Sequence, residues 1–235
     1  MNDSTALVTG ANKGIGKEIA RQLADAGLTV LVGSRDPERG ERAVAEIGGD
    51  ARLLVLDVTD TDSIAAAAAR VDRLDVLINN AGVMVDSRTP AEAEVASFRR
   101  TYETNVFGVL AVTNAFLPAL RRSAHPRVVN VSSGTGSLTW SAGEQFPHVG
   151  SGAAYRSSKT ALNALTLYYA HALADEGFKI NALAPGLRRT DLNERAAAAD
   201  GDPAEAAAGA VRLALLADDG PTGEFVSWDG SPAPW

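Results

Sequence analysis

Residues 9–16 read Thr9-Gly10-Ala11-Asn12-Lys13-Gly14-Ile15-Gly16, TGANKGIG, between a short aliphatic run, Ala6 to Thr9, and a segment from Gly14 to Ala26 with helix-like periodicity. Glycines at such a strand-to-helix junction let the main chain turn sharply and approach a ligand closely. The first N–H groups of the helix stay unpaired and carry partial positive charge, which suits a phosphate-bearing ligand. Three glycines alone are weak evidence, since a tight turn with nothing bound also uses them. What separates the two is position: a second strand arrives about twenty residues later, making the βαβ unit of a dinucleotide-binding motif.

Outward from this unit the same rhythm continues. Strand-like runs fall at Ala6 to Thr9, Thr29 to Gly33, Arg52 to Leu56, Val76 to Asn79, Arg127 to Val131, Lys179 to Ala184 and Glu224 to Ser227. Between them lie helical segments at about Gly14 to Ala26, Glu38 to Ile47, Asp62 to Val71, Ala91 to Arg122, Tyr155 to Glu176 and Pro203 to Leu216. The pattern of the fourth shifts near Glu103 to Asn105, which predicts two helices. This alternation predicts an α/β fold, a Rossmann-type doubly wound, seven-stranded parallel sheet with helices on both faces, whose ligands bind beyond the carboxyl ends of the strands. The alanine-rich patches Ala65 to Ala69 and Ala196 to Ala208 are good helix-forming sequence, the second opening as loop because Gly201 and Pro203 interrupt it.

A chain of 235 residues with 46% hydrophobic content and no dividing linker fits one domain, 1–235, with a sizeable core. Its net charge of -7 argues against a surface built for nucleic acid or anionic lipid. Without cysteine there is no disulfide framework, thiolate nucleophile or Cys-based zinc site, and no metal is called for. No secretory leader or bilayer-length apolar run is visible, so a cytoplasmic location is expected, with no membrane and no nucleic-acid partner.

The end of the second strand reads Val32-Gly33-Ser34-Arg35-Asp36. An acidic residue there would bind a ribose 2′-hydroxyl. Ser34 and Arg35 instead offer a hydroxyl and a guanidinium to a 2′-phosphate, and Lys13 adds a further cation, so NADP(H) is favoured over NAD(H). Asp36 could pair with Arg35 and blunt its charge. Tyr155 and Lys159, in AAYRSSKTAL, stand four positions apart, one helical turn, which brings an ammonium near a phenol.

TGANKGIG, NNAG at Asn79 to Gly82, NVSS at Asn130 to Ser133, YRSSK at Tyr155 to Lys159 and LAPG at Leu183 to Gly186 occur in one order along nearly the whole chain. In this the chain resembles the short-chain dehydrogenase/reductase family, in its compact single-domain branch. Asn12-Lys13, Ser34-Arg35 and the TGEFVSWDG ending are most similar to NADPH-dependent carbonyl-reductase-type members. The resemblance implies hydride transfer between a nicotinamide and a small-molecule carbonyl or alcohol, with Tyr155 as general acid/base, Ser133 polarising the carbonyl, and Lys159 favouring the phenolate and holding the ribose. Asn105 would distort its helix and hold a water that reaches the lysine. It further implies cofactor contacts from Gly10, Asn12, Lys13, Gly14, Ile15, Gly16, Ser34, Arg35, Asp57, Val58, Asn80, Ala81, Gly82, Tyr155, Lys159, Pro185, Gly186, Leu187 and Thr190, with Asn79 shaping the fourth strand's exit. Asp57 would serve the adenine, with an N-cap for the next helix as its local alternative.

Ser133 is separated from Tyr155 by an inserted stretch, Gly134 to Gly152, expected to be a loop, and Ser132, Ser137 or Ser141 could take its place. His148, in that stretch, reads as a surface residue. Met84 to Arg88, Trp140 to His148 and Leu187 to Asp202 would frame the substrate, with Trp140 and Phe146 either an apolar wall or packed onto the body. Relatives commonly dimerise, so a monomer or homodimer is expected. The alternative is a cofactor-binding regulatory or scaffold protein without turnover, whose usual sign is loss of the tyrosine or lysine.

Overall fold

The computed structural model describes residues 4–143 and 150–235. In chain order the elements are β1 (Thr5–Val8), α1 (Gly14–Asp25), β2 (Thr29–Ser34), α2 (Pro37–Ile47), β3 (Ala51–Val55), α3 (Thr61–Ala68), β4 (Val76–Asn79) and α4 (Val95–Tyr102). Then come α5 (Gly108–Leu120), β5 (Arg127–Val131), α6 (Leu138–Ala142), α7 (Ala153–Ala172), β6 (Lys179–Ala184), α8 (Glu194–Ala197), α9 (Pro203–Ala214) and β7 (Phe225–Ser227). The seven strands form one sheet in the order β3-β2-β1-β4-β5-β6-β7, every neighbouring pair parallel. The chain order reverses between β1 and β4, so the exits of these two strands open a crevice for a ligand.

Two-residue alternation along each strand builds a core on each face. Ala6, Val8, Val76, Ile78, Val129, Val131 and Leu183 pack with Ile19, Leu23 and Leu213 on one side. Leu7, Leu77, Val128 and Ile180 pack with Ile64, Phe116 and Leu120 on the other. Helices on both faces explain why the strands are nearly all apolar rather than half polar.

Within the sheet interior two asparagines form a hydrogen-bonded ladder. Asn79 and Asn130 are register partners across β4 and β5. Asn79 Nδ2 donates to Asn130 Oδ1 (2.8 Å) and Thr113 Oγ1 (3.1 Å), and Asn130 Nδ2 donates to Thr166 Oγ1 (2.8 Å). Asn79 therefore ties the end of β4 to α5 directly and to α7 through Asn130.

Expectations change at four places. The segment from Ala91 divides into α4 and α5 near Glu103 to Asn105 as expected, but it starts later and the two helices are joined without a loop. It begins at Val95 and runs through a π-helical turn, Glu103–Phe107, because one additional residue is accommodated where Asn105 turns inward. The stretch after Ser133 is not all loop, since a 3-10 turn at Gly134–Gly136 and helix α6 lie within it. The N-cap of α3 is Asp60, which accepts from the N–H groups of Asp62 and Ser63, so Asp57 is not the cap. The second alanine-rich patch also opens not as loop but within a short helix, α8, before the interruption at Gly201.

Removing the ladder's central member tests its energetics. Asn130→Ala removes the acceptor of one Asn79 amide hydrogen and the donor to Thr166 Oγ1, leaving these groups only Thr113 and the Leu162 carbonyl, and is expected to cost about 1–3 kcal/mol in urea unfolding. A cost within about 0.5 kcal/mol, typical of a surface change, would show the ladder to be energetically idle.

Candidate active site

The glycine turn is tied to the exit of β4 from both directions. Thr9 Oγ1 accepts from the main-chain N–H of Asn80 and of Ala81 (3.0 Å each), while Asn80 Nδ2 donates to the carbonyls of Thr9 (2.9 Å) and Gly10 (3.2 Å). Packing here admits no side chain on Gly16: a Cβ there would sit 2.3 Å from Asn80 Nδ2 and 2.7 Å from the Gly10 carbonyl. Gly10 takes φ +63° against Ala81. The first turn of α1 has no side-chain cap and no acidic residue, so its N–H groups face the crevice unneutralised, and the Thr190 methyl stands over Gly14. The backbone thus offers the cradle that a pyrophosphate needs.

At the end of β2 the residues separate. Ser34 is buried and its hydroxyl donates to the Asp36 carbonyl (2.8 Å), so it braces the turn. Asp36 caps α2 and pairs with Arg39 (3.2 Å), leaving Arg35 exposed and without an ion pair among the described residues. Lys13 pairs with Asp191, which joins the glycine turn to the segment after Thr190. Sequence reasoning missed that Lys17, Arg39 and Arg42 join Asn12 and Lys13 around a cavity of about 270 Å³, with Glu46 and Asp191 as the acidic members. These cations lie on solvated helix faces, and only the approach of α1 to α2 gathers them.

Asp57 Oδ1 accepts from Thr59 N (2.9 Å) and Oγ1 (2.7 Å), holding the β3 exit, and the Val58 carbonyl lies where a Cβ on Gly108 would come within 2.7 Å. Asn105, fully buried at the centre of the π turn, accepts from Val83 N (2.9 Å) and donates to Val83 O (2.9 Å) and Ser158 Oγ (3.0 Å). The expected distortion is present, and the carboxamide uses it to clasp the chain just beyond Gly82. A Cβ on Gly82 would lie 3.4 Å from Asn105 Oδ1 and 3.5 Å from Lys159 Nζ, so the β4 exit, the π turn and α7 converge at this glycine.

Of the candidate serines, Ser133 lies against the Tyr155 hydroxyl, where it favours the ionised phenol. Ser132 instead faces Asn163 Oδ1 (2.5 Å), and Ser137 caps α6 through Trp140 N (3.0 Å). Ser133 Oγ also lies 2.9 Å from Thr135 Oγ1 and accepts from Thr135 N (3.2 Å). Lys159 Nζ donates to the Val131 carbonyl (2.8 Å) and lies 5.7 Å from the Tyr155 ring centroid.

Electrostatics here differ from the expectation. Burial pushes the Tyr155 phenol up to about 12, which Ser133 partly offsets, and burial pushes Lys159 down to about 8. Without cofactor, desolvation outweighs any help from the ammonium, so Tyr155 is held as a neutral acid.

After Pro185, Gly186 adopts φ +70° and Leu187 is exposed. Arg188, which sequence reasoning passed over, is buried against Trp228 (4.3 Å to the ring centroid) and Glu205 (3.5 Å), anchoring the excursion that carries Thr190. Its only local signal is an adjacent pair of arginines after the proline and glycine. Of the substrate frame, Met84 touches both sides: its sulfur accepts from Asn193 Nδ2 (3.0 Å) and its methyl abuts Gly152. Trp140 packs on Phe225 (6.4 Å), so it lies on the body, while Phe146 and His148 fall outside the described residues.

This combination of a doubly wound sheet, a glycine cradle at its switch point and a Ser-Tyr-Lys cluster with a buried lysine has relatives. The family model described as short chain dehydrogenase matches residues 4–201. (-)-Isopiperitenone reductase of Mentha piperita is 34% identical, over 95% of this chain and 96% of its own, and salutaridine reductase of Papaver bracteatum is 32% identical, over 94% and 93%. The NADPH-bound carbonyl reductase from chicken fatty liver superposes with a TM-score of 0.85 at 29% identity, covering 100% of both chains. The chain belongs to the short-chain dehydrogenase family. It is an oxidoreductase of that family, acting on carbonyl or alcohol groups, and the alternative of a scaffold without turnover is not favoured.

The lysine offers a titration test. Its folded pKa, about 8, lies below the ordinary 10.5, so its contribution to stability is present above pH 10.5 and is lost as pH falls through 8. Lys159→Met is expected to gain on the parent in thermal unfolding below pH 8, the gain vanishing above 10.5. A difference that does not vary with pH would sink this assignment.

Proposed function

We propose that this chain is an NADPH-dependent reductase in which Tyr155 is the general acid/base, Ser133 holds the substrate oxygen, Lys159 is the charge beside them and Asn105 positions the β4 exit. The observation that carries this reading is the meeting of Ser133 and Tyr155 across the inserted stretch, with Lys159 buried behind them. A nicotinamide held in the crevice would supply or take up the hydride. Ser133 donates to the carbonyl oxygen and aligns it with the phenol. Tyr155, protonated across the neutral range because burial places it at about 12, gives its proton to that oxygen as charge develops there. The Lys159 ammonium stabilises the phenolate left behind, and the Val131 carbonyl fixes its direction.

The preference for NADP(H) over NAD(H) rests on Arg35, which no carboxylate neutralises among the described residues, and on the cations around the neighbouring cavity. The cradle of Gly10, Asn12, Gly14, Ile15 and Gly16, with Asn80, Ala81, Gly82, Thr190 and the Pro185-Gly186-Leu187 turn, would hold the remainder, and Asp57 and Val58 the adenine. The whole chain, 1–235, would act as one catalytic unit on a small-molecule carbonyl or alcohol, in the cytoplasm, as a monomer or homodimer. Among the described residues no helix is long and apolar enough to cross a membrane.

Tyr155→Phe is expected to lower kcat for a reducible carbonyl by about 10²–10⁴-fold while NADPH binding survives. A panel of aldehydes, ketones and quinones, followed at the nicotinamide absorbance, supplies the substrate, and substantial activity of the variant refutes the mechanism. Arg35→Glu is expected to weaken NADPH by about 10–100-fold and NADH far less. Equal losses would overturn the 2′-phosphate assignment.

A further inference from the structure

After β7 the chain doubles back. Gly230, at φ +93°, and the Asp229 carboxylate, which accepts from Ser231 N (3.0 Å) and Oγ (2.7 Å), make the turn. Pro232 then bridges antiparallel to Val226, and Ala233 N donates to Phe225 O (2.8 Å). This return lays the Trp235 ring on Phe225, with centroids 5.4 Å apart and planes 22° from parallel, while Trp140 packs on the same phenylalanine.

The Trp235 carbonyl oxygen is thereby delivered to the start of α6. It accepts from Thr139 N (3.2 Å), Thr139 Oγ1 (2.9 Å) and Ser137 Oγ (3.4 Å). From Ser137 the chain runs straight back to Ser133 through the 3-10 turn, closed by Ser137 N on Gly134 O (3.1 Å) and Gly136 N on Ser133 O (2.9 Å). The other side of that turn is pressed onto the catalytic helix. A Cβ on Gly136 would lie 2.8–3.0 Å from the Lys159 backbone and Cβ, and the Gly136 carbonyl accepts from Thr160 Oγ1 (2.9 Å). The turn that aims Ser133 is thus gripped between α7 and Trp235.

We infer that Trp235 is a positioning residue for Ser133: its ring seated on Phe225 and its carbonyl on Thr139 and Ser137 hold the turn that points the Ser133 hydroxyl at Tyr155. This rests on the role proposed above for Ser133. A hydroxyl that lies against Tyr155 and is held by Thr135 Oγ1 and Thr135 N has little tolerance for displacement of its main chain, and misplacement by about 1 Å costs up to about a hundredfold in rate.

The test is a double-mutant cycle. Trp235→Ala is expected to lower kcat about tenfold with NADPH affinity, read by nicotinamide fluorescence, changed less than about twofold, and Trp235→Phe to restore most of the loss. Thr139→Val, which keeps both rings, is expected to lower kcat about threefold and guards against misfolding of the alanine variant. In a Ser133→Ala background neither change should lower kcat further, because the group being positioned is gone. Losses that multiply with Ser133→Ala, NADPH affinity falling in parallel with kcat, or Trp235→Ala and Thr139→Val both at parental kcat would overturn the inference. Full activity of Ser133→Ala alone would overturn the role of Ser133 itself, a separately readable failure.

Discussion

The reciprocal clasp between Thr9 and Asn80 is the constraint on which the site depends. Two strands adjacent in the sheet but far apart in sequence end side by side, and each uses a side chain to satisfy the other's main chain. Asn80 fills the space beside Gly16, so the turn is shaped by contact as much as by glycine's freedom. The same clasp sets the course of Ala81 and Gly82, which lead to Val83 and the Asn105 carboxamide. The glycine turn and the proposed catalytic cluster therefore share one junction, as a reaction between a bound cofactor and a positioned acid would require.

Burial sets the chemistry at the far end of that junction. Removing Tyr155 and Lys159 from water moves their pKa values in opposite directions, towards the neutral form of each. A neutral phenol suits proton donation to a reduced carbonyl. The ammonium, held by the Val131 carbonyl, becomes most useful once the phenol has given up its proton. In the proposed reaction the lysine would thus stabilise the phenolate more than activate the resting acid.

The inserted stretch follows the same economy of contacts. Its first turn lies so close to α7 that only glycine fits at 136, and its helix is capped by Ser137 from within and by Trp235 from the end of the chain. What reads as a loop in sequence is, through residue 143, a braced extension of the Ser133 turn.

Much of this was legible in the sequence. Strand positions, parallel class and the helical placement of Tyr155 and Lys159 follow from periodicity and from turn residues, which act between near neighbours, and the family resemblance added the site roles. The rest depended on partners remote in the chain. Lys13 meets Asp191, Asn79 is drawn into a ladder, Arg188 is buried on Trp228, and Ser133 is distinguished from Ser132 by which side of β5 each leaves. The π turn belongs here too, since a helix yields a regular turn only where a residue such as Asn105 gains main-chain bonds from another element. Local pattern determined the elements and the order of the strand ends. Tertiary structure decided which side chains those ends bring together, because that depends on sheet order and close packing, which no local pattern records.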